Sequence, residues 1–161
     1  SILSGCTLGD SVKIESSFVT DATIGDNNII GPFSRIRPGT VTESHVSIGN
    51  YAEIKNSHIG MGSKIGHFSY IGDAQLGKNV NVGAGAITAN FDGFKKNRTE
   101  ICDDVFIGSN SVIVAPRVIG KGALTGAGSV IVRDVKDGER VAGVPAITLN
   151  NPKQEWRSEK D

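Results

Sequence analysis

Aromatic residues are scarce in this chain of 161 residues, at 6% of the sequence, and cysteine is nearly absent. Cys6 and Cys102 form no metal-binding or redox spacing, so we expect the protein to work in a reducing cytoplasm. Neither charge is in excess, with 17 Lys and Arg against 17 Asp and Glu. This balance argues against electrostatic binding to nucleic acid or to an anionic membrane. No apolar run approaches membrane-spanning length, and residues 1–5 do not form a secretory signal.

Glycine, by contrast, is abundant, with 21 residues. It follows an aliphatic residue at Leu8, Ile24, Ile30, Ile48, Ile59, Ile65, Ile71, Leu76, Val82, Ile107 and Ile119. Many of these aliphatic anchors are six residues apart, and a second register, four residues after each anchor, carries small or β-branched side chains such as Ser63, Val80 and Ala86. We expect the glycines after the anchors, with polar residues at the corners, to serve backbone turns that other residues resist.

A six-residue period with two inward positions fits neither an α-helix nor a simple hairpin strand. It predicts a short strand and a corner, repeated three times to make one triangular coil. Ile48, Ile65 and Val82 are 17 residues apart, as expected for a three-hexad coil shortened by one residue. We therefore predict an all-β parallel β-helix over residues 1–149, stabilised by stacking between neighbouring coils. A β-sandwich is the alternative, but it would show varied loop lengths and no six-residue phase.

Two segments interrupt the repeat. Residues 88–100 lack anchors and are predicted to form a loop that projects from a corner, where solenoid proteins often place binding residues. Residues 150–161 form a charged tail that contains Trp156. The composition of this tail does not distinguish a helix from disorder.

Several motifs resemble a single family. They are GPFSRIRPGT at 31–40, GHFSYIGDA at 66–74, NVNVGAG at 79–85, TANFDG at 88–93 and VFIGS at 105–109. Together they are similar to the acetyltransferase half of the bacterial bifunctional N-acetylglucosamine-1-phosphate uridyltransferase/glucosamine-1-phosphate acetyltransferases, which are hexapeptide-repeat transferases. The likeness extends over essentially all of residues 1–135. It implies a left-handed β-helix, a handedness that the repeat alone does not give.

The resemblance implies an activity and an assembly. The expected reaction transfers the acetyl group of acetyl-CoA to the amine of glucosamine-1-phosphate, for UDP-N-acetylglucosamine and hence cell-wall synthesis. Acetyl-CoA is the co-substrate, no metal is needed, and the family forms homotrimers with active sites between subunits. The nucleotidyltransferase half has no counterpart here. The chain begins inside the repeat without an initiator Met, so we interpret it as a domain excised from a longer protein.

The resemblance also implies roles for individual residues. His67 matches the general base of the family. The sugar-phosphate ligands match Arg37, Lys55, Tyr70 and Asn81. The positions that line the acetyl-CoA site match Ala84, Asn90, Phe91, Ser109 and Ala127.

Two of the family's side chains are replaced in this sequence. Phe91 stands where the family usually has Tyr, so a hydroxyl contact is missing and an apolar contact is expected instead. The family's late Arg near the tail of CoA aligns with Val144, and Arg140 is a nearby stand-in.

The chemistry of these residue types agrees with the implied roles. Amine acetylation needs a base that works near neutral pH, for which imidazole is suited. His67 is the third residue of the hexad begun by Ile65 and is predicted at a corner, although a corner histidine is more commonly a solvated surface residue. Arg37 and Lys55 each follow an anchor, 18 residues apart. They are predicted on neighbouring coils of one face, as a phosphate clamp or as ordinary exposed charges.

Other cations and other functions remain as alternatives. Lys95, Lys96 and Arg98 on the loop are candidates for phosphate contacts, although a solvated charge run is commoner. A γ-carbonic-anhydrase-like metal enzyme would take three histidines, but His45, His58 and His67 have the wrong spacing, and we interpret the first two as corner or edge residues. An acetyltransferase for another amino sugar and a non-catalytic trimerisation scaffold are the further alternatives.

Overall fold

The computed structural model describes residues 1–149, so the predicted tail with Trp156 lies outside the described residues. These residues form 24 strands in three sheets, here named A, B and C. Sheet A contains β1 Ile2–Ser4, β4 Phe18–Thr20, β7 Arg35–Ile36, β10 Glu53–Lys55, β13 Tyr70–Gly72, β16 Ile87–Ala89, β19 Val112–Val114 and β22 Val130–Ile131. Sheet B contains β2 Thr7–Leu8, β5 Thr23–Ile24, β8 Val41–Thr42, β11 His58–Ile59, β14 Ala74–Leu76, β17 Thr99–Ile101 and β20 Arg117–Ile119. Sheet C contains β3 Lys13–Ile14, β6 Ile29–Ile30, β9 Ser47–Ile48, β12 Lys64–Ile65, β15 Asn81–Val82, β18 Phe106–Ile107, β21 Leu124–Thr125, β23 Arg140–Ala142 and β24 Ile147–Thr148.

The chain visits sheets A, B and C in turn, and strands pair in parallel with the equivalent strand of the next coil. The three sheets form a triangular prism, whose edges we name AB, BC and CA after the sheets that the chain connects there. The predicted left-handed parallel β-helix of hexapeptide repeats is confirmed. No helix occurs within residues 1–149, so none of the described segments is a helix that could span a membrane.

The core consists of the two registers that the sequence predicts. Ile48, Ile65 and Val82 lie side by side on successive strands and are buried. The small residues of the second register, such as Ser63 and Ala86, are buried too. Leu8 is 41% exposed, because its strand in the first coil pairs with a single neighbour, β5.

The structure corrects the prediction that the glycines after the anchors serve turns, except at Gly31, whose φ is 103°. Gly66, Gly83 and Gly108 do not adopt the left-handed conformation, which occurs two residues after Gly66 and Gly83, at Phe68 (φ 59°) and Gly85 (φ 70°). A Cβ atom would lie 2.7 Å from the next coil's backbone nitrogen at Gly66, 2.5 Å at Gly83 and 2.6 Å at Gly108. These three glycines are therefore required by the close approach of the next coil, not by a turn.

The interruption of the repeat is shorter than the predicted range 88–100. Residues 88 and 89 belong to β16 and residues 99 and 100 to β17, so the loop itself comprises residues 90–98 and leaves from the AB edge. Thr88 falls in the range that is predicted as a loop because it lacks aliphatic anchors, yet it is buried in register with Ile113. Its hydroxyl oxygen accepts a 2.8 Å hydrogen bond from the backbone N–H of Gly72, so this buried polar group has a partner inside the core.

The C-terminal end of the described chain folds back on itself, since β24 pairs antiparallel with β23. A polar cluster at this hairpin joins Arg133, Glu139 and Thr148. Arg133 Nη2 lies 2.9 Å from Glu139 Oε1, and the Thr148 hydroxyl donates to the same oxygen at 2.5 Å. The Arg133 guanidinium, with the Thr148 hydroxyl and the backbone N–H of Lys136, lowers the pKa of Glu139 to about 2.

Candidate functional site

Four of the candidate residues occupy equivalent positions on successive coils along the CA edge. The backbone N–H of Gly85 donates to the His67 carbonyl at 2.9 Å. The equivalent bonds join Asn110 to Ala84 and Gly128 to Ser109, each at 2.7 Å. His67, Ala84, Ser109 and Ala127 therefore form one column, here called the edge column, which runs parallel to the prism axis.

The His67 side chain is exposed at a turn, as the sequence predicts. Its ring meets the Phe68 ring edge-on, with 5.5 Å between the ring centroids. Phe68 in turn stacks on Tyr51 at 5.2 Å, and Tyr51 stacks on Phe33 at 5.5 Å. The aromatic stack supports the imidazole from one side and leaves its nitrogens accessible, as a general base requires.

Backbone N–H groups along the edge column are open. Those of Ala84, Ser109 and Ala127 donate to no acceptor among residues 1–149. They face the glycines of the preceding coil, where a side chain would cover them. A row of uncovered N–H groups beside an imidazole is suited to bind a carbonyl oxygen that gains negative charge.

An apolar groove of about 340 Å³ runs beside the edge column on the outer face of sheet C. Phe106 and Leu124 form one wall, and Ser109 and Ala127 form the other. Asn81 lies in register with Phe106 at one end of this wall. Long apolar walls with few polar groups suit a thin, mainly apolar ligand.

The outer face of sheet A carries the candidate phosphate ligands. Ile36 and Ile54 are in register, which places Arg37 beside Lys55 on neighbouring coils, and this part of the prediction is confirmed. Neither cation is free of counter-charge, because Arg37 Nη1 lies 2.8 Å from Glu53 Oε1 and Lys55 Nζ lies 3.9 Å from a carboxylate oxygen of Asp73.

Sequence reasoning assigned no role to Asp73, a buried carboxylate at the AB edge. One of its oxygens accepts from Asn90 Nδ2 at 2.5 Å, and the other accepts from Asn56 Nδ2 at 2.6 Å. Asn90 Nδ2 also lies 3.4 Å from the Tyr70 hydroxyl. An aspartate at a corner is usually a turn residue, and Asp73 has left-handed φ (50°) as such a residue would. The sequence therefore offered no signal for its role in joining sheet A to the loop.

The loop over residues 90–98 has internal order. Asp92 accepts hydrogen bonds from the backbone N–H groups of Phe94 and Lys95 and from the Asn97 side chain. The N–H of Lys95 contributes most to holding the pKa of Asp92 at about 2. The Lys96 ammonium lies 4.9 Å from the centre of the Phe91 ring, a cation–π contact.

The structure does not bring all candidate residues together within one chain. Asn90 and Phe91 leave from the AB edge, whereas the edge column lies along CA. Lys55 and Tyr70 belong to sheet A, Arg37 directly follows strand β7 of that sheet, and Asn81 belongs to sheet C. Phe91 is 56% exposed and does not line the groove.

The other loop cations and histidines lie apart from this site. Arg98 Nη2 donates to Gln75 Oε1 at 2.9 Å, and Lys95 is exposed. His45 lies at a BC corner, one of the two predicted environments, whereas His58 belongs to strand β11 and not to a corner, and its Nε2 is 3.0 Å from Glu43 Oε1. Residues 1–149 contain no group of three or more His, Cys, Asp or Glu placed to hold a metal ion.

Known protein sequences contain the same six-residue repeat. The family model of the bacterial transferase hexapeptide (six repeats) matches residues 21–56, 56–90 and 98–133. The bifunctional protein GlmU of Acinetobacter baumannii is 52% identical over 137 residues, which is 84% of this chain and 30% of that protein. GlmU of Thermotoga maritima is 58% identical over 130 residues, or 81% of this chain and 29% of that protein. The chain thus spans about 30% of the length of these relatives.

Solved structures show the same fold. The polySia-specific acetyltransferase NeuO superposes with a TM-score of 0.69 at 17% identity, covering 99% of this chain and 82% of NeuO. Serine acetyltransferase (CysE) of Neisseria gonorrhoeae gives a TM-score of 0.53 at 32% identity, covering 65% of this chain and 41% of CysE. The family model matches three stretches of the sequence, and the structure has the triangular coil that this repeat predicts. The chain therefore belongs to the bacterial transferase hexapeptide family.

Proposed function

We propose that this chain transfers the acetyl group of acetyl-CoA to the amine of glucosamine-1-phosphate. The observation that carries the proposal is the edge column, in which an exposed imidazole is followed by uncovered N–H groups beside an apolar groove. Sheet A adds two adjacent cations on the neighbouring face. The identity with GlmU proteins over most of this chain supports the same reaction.

Acetyl-CoA fits the groove as a substrate. The wall of Phe106 and Leu124 suits the thioester arm, which would place the acetyl carbonyl near the Ala84 N–H. The neutral amine attacks that carbonyl, the C–N bond forms, and His67 takes a proton from the amine. The Ala84 N–H stabilises the oxyanion. The C–S bond then breaks, and the thiolate of CoA receives the proton.

The sugar phosphate is assigned to sheet A. Arg37 and Lys55 lie side by side there and supply a fixed guanidinium and an ammonium, a suitable pair for a phosphate. Glu53 and Asp73 hold these two side chains in place before the phosphate binds. Tyr70 and Asn81, on sheets A and C, are assigned to the sugar.

The complete site requires a second copy of the chain, and we propose a homotrimer. Asn90 and Phe91 lie on a different edge from His67, so the loop of one chain would complete the edge column of its neighbour. The outer face of sheet A is apolar in its later coils, with Ile87 exposed and Val112 and Val130 half-buried. Such a patch on a sheet favours burial against another subunit.

The reaction is tested by acetyl-CoA-dependent thiol release with glucosamine-1-phosphate, galactosamine-1-phosphate and free glucosamine, together with a zinc measurement. We expect release with glucosamine-1-phosphate above the other two, and no dependence on zinc. Preference for another amino sugar would support the related-acetyltransferase alternative. Zinc-dependent activity, or no release with any amine, would refute the proposal.

Light scattering and subunit mixing test the assembly. We expect three times the chain mass of 16.9 kDa. His67→Ala and Phe91→Asp chains, each inactive alone, should regain activity when refolded together, since about a quarter of the sites in a random mixture combine an intact histidine with an intact loop. Mixing His67→Ala with His67→Asn chains is the control. A monomer, or no recovery in the first mixture, would contradict the shared site.

A further inference from the structure

A second column of equivalent residues runs along the CA edge beside the edge column. Each member lies two residues before a strand of sheet A, and these strands are in register from β7 to β22. All six members adopt left-handed φ, between 56° and 70°. This turn column consists of Phe33, Tyr51, Phe68, Gly85, Asn110 and Gly128.

The first three positions of the turn column are aromatic, although the backbone conformation there favours glycine or asparagine. Phe33, Tyr51 and Phe68 are between 52% and 61% exposed, so burial in the core does not account for their rings. The last three positions make the same turn with glycine or asparagine, so the turn does not require a ring either. Residues that contradict a local preference without a benefit to folding are typical of functional sites.

The three rings form one continuous stack that ends at His67. Phe33 and Tyr51 are 5.5 Å apart with 20° between the ring planes, and Tyr51 and Phe68 are 5.2 Å apart with 7°. The Phe68 ring then meets the imidazole at 86°, with 5.5 Å between the centroids. The next position of the turn column is Gly85, which has no ring to continue the stack. Tyr51 therefore has a ring on each face, and one of these rings contacts the imidazole.

Within residues 1–149, the contact with Phe68 is what orients the His67 ring. The His58 ring is hydrogen-bonded to Glu43, whereas the His67 ring has no hydrogen bond to these residues. The orientation of a catalytic imidazole is commonly set by a hydrogen bond to the nitrogen that does not take the proton. An exposed side chain without such a bond can occupy several rotamers. Edge-to-face contacts between rings are directional, so the Phe68 ring favours one of these rotamers.

We propose that Tyr51 is a positioning residue for the acetyl transfer, which acts on His67 through Phe68. The inference rests on the proposed function, in which His67 is the base. Tyr51 stacks on Phe68 and keeps that ring against His67, so that the imidazole stays aimed at the substrate amine. The Tyr51 hydroxyl has no hydrogen bond to residues 1–149, so the flat ring and not the hydroxyl carries this role.

A double-mutant cycle with His67 tests whether Tyr51 acts through the imidazole. In the wild-type background, Tyr51→Ala should lower kcat roughly 10- to 100-fold, the order expected for a misplaced catalytic group, with KM for both substrates unchanged. In the His67→Ala background, the same replacement should have no further effect, because there is no imidazole to position.

Three further variants separate the ring from the hydroxyl and from surface apolarity. Tyr51→Phe should keep the wild-type kcat, and Tyr51→Leu, which has no flat ring, should behave as Tyr51→Ala does. Phe18→Ala removes a similarly exposed ring outside the stack and is the matched control, with unchanged kcat. Circular dichroism checks that each variant is folded, and Tyr51→Leu replaces Tyr51→Ala in the cycle if the latter is not.

NMR of the protein with isotope-labelled histidine measures the positioning without any reaction. The ring protons of His67, assigned with His67→Asn, should show a ring-current shift from Phe68 that is lost in Tyr51→Ala and kept in Tyr51→Phe. An equal loss of kcat in the two backgrounds, or an unchanged His67 spectrum in Tyr51→Ala, overturns the inference. A wild-type chain that acetylates no amino sugar refutes the proposed function instead, and the His67 spectrum still reports the contact.

Discussion

Asp73 accepts a 2.5 Å hydrogen bond from the side chain of Asn90, which fixes the first residue of the loop against the end of sheet A. The other oxygen of the same carboxylate is bound by Asn56, and the Lys55 ammonium lies nearby. One buried carboxylate therefore couples a candidate phosphate ligand to the loop that is proposed to complete a neighbouring site.

Replacing Asp73 by Ala should destabilise the protein and loosen the loop. The amide groups of Asn56 and Asn90 would lose their acceptor, at a cost of about 1–3 kcal/mol in the free energy of unfolding. Urea unfolding measures the stability, and hydrogen exchange over residues 90–98 measures the loop. Asp10→Ala, at an exposed position, is the matched control. Equal stability and equal exchange in both variants would show that the Asp73 cluster is unimportant.

Replacing Arg37 by Ala should raise KM for glucosamine-1-phosphate roughly 10- to 100-fold, because a charge-assisted contact to phosphate is lost. Turnover of free glucosamine, if any, should be nearly unaffected. Glu53→Gln removes the same ion pair but keeps the guanidinium, so it should retain a low KM. Equal losses for both sugars would mean that Arg37 supports the fold and not phosphate recognition.

Replacing His67 by Ala or Asn should lower kcat by about 10²–10⁴, the usual contribution of a positioned base. Thermal stability should hardly change, because the side chain is exposed at a turn. The pH dependence of kcat is measured for each variant as the control, because protonation of the substrate amine at low pH lowers the rate without any contribution from His67. A trimeric variant that binds acetyl-CoA and keeps most of the wild-type kcat would exclude His67 as the base.

Replacing Glu139 by Gln should lower Tm at pH 7, since the interaction with Arg133 is lost. The pKa of Glu139 is about 2 in the folded protein, below its ordinary value of 4.5. The carboxylate therefore stabilises the fold above pH 4.5, and this contribution is lost as the pH falls toward 2. The Tm difference from wild type should shrink over that range, measured by circular dichroism. Glu15→Gln is the control, and a pH-independent difference would contradict the assignment.

The sequence predicted the coil well because a solenoid repeats its geometry along one axis. A step of six residues gives the strand and corner, and steps of 17 or 18 residues place Ile48 beside Ile65 and Ile36 beside Ile54. The prediction from the sequence was wrong where a residue type occurs both in exposed loops and in the buried core. Thr88 is polar and follows the last anchor before the loop, yet it is buried in strand β16.

The sequence by itself determined the triangular coil, the inward registers and the exposed corner of His67, because each follows from a residue's place in a short translational repeat. The tertiary structure alone decided which groups meet across coils. It paired Arg37 with Glu53 and Asn90 with Asp73, and it aligned Ala84 with Ser109 although 25 residues and a loop separate them. It also separated the loop and the edge column onto different edges. These contacts depend on side-chain reach, burial and the closeness of neighbouring backbones, which spacing along the chain does not encode.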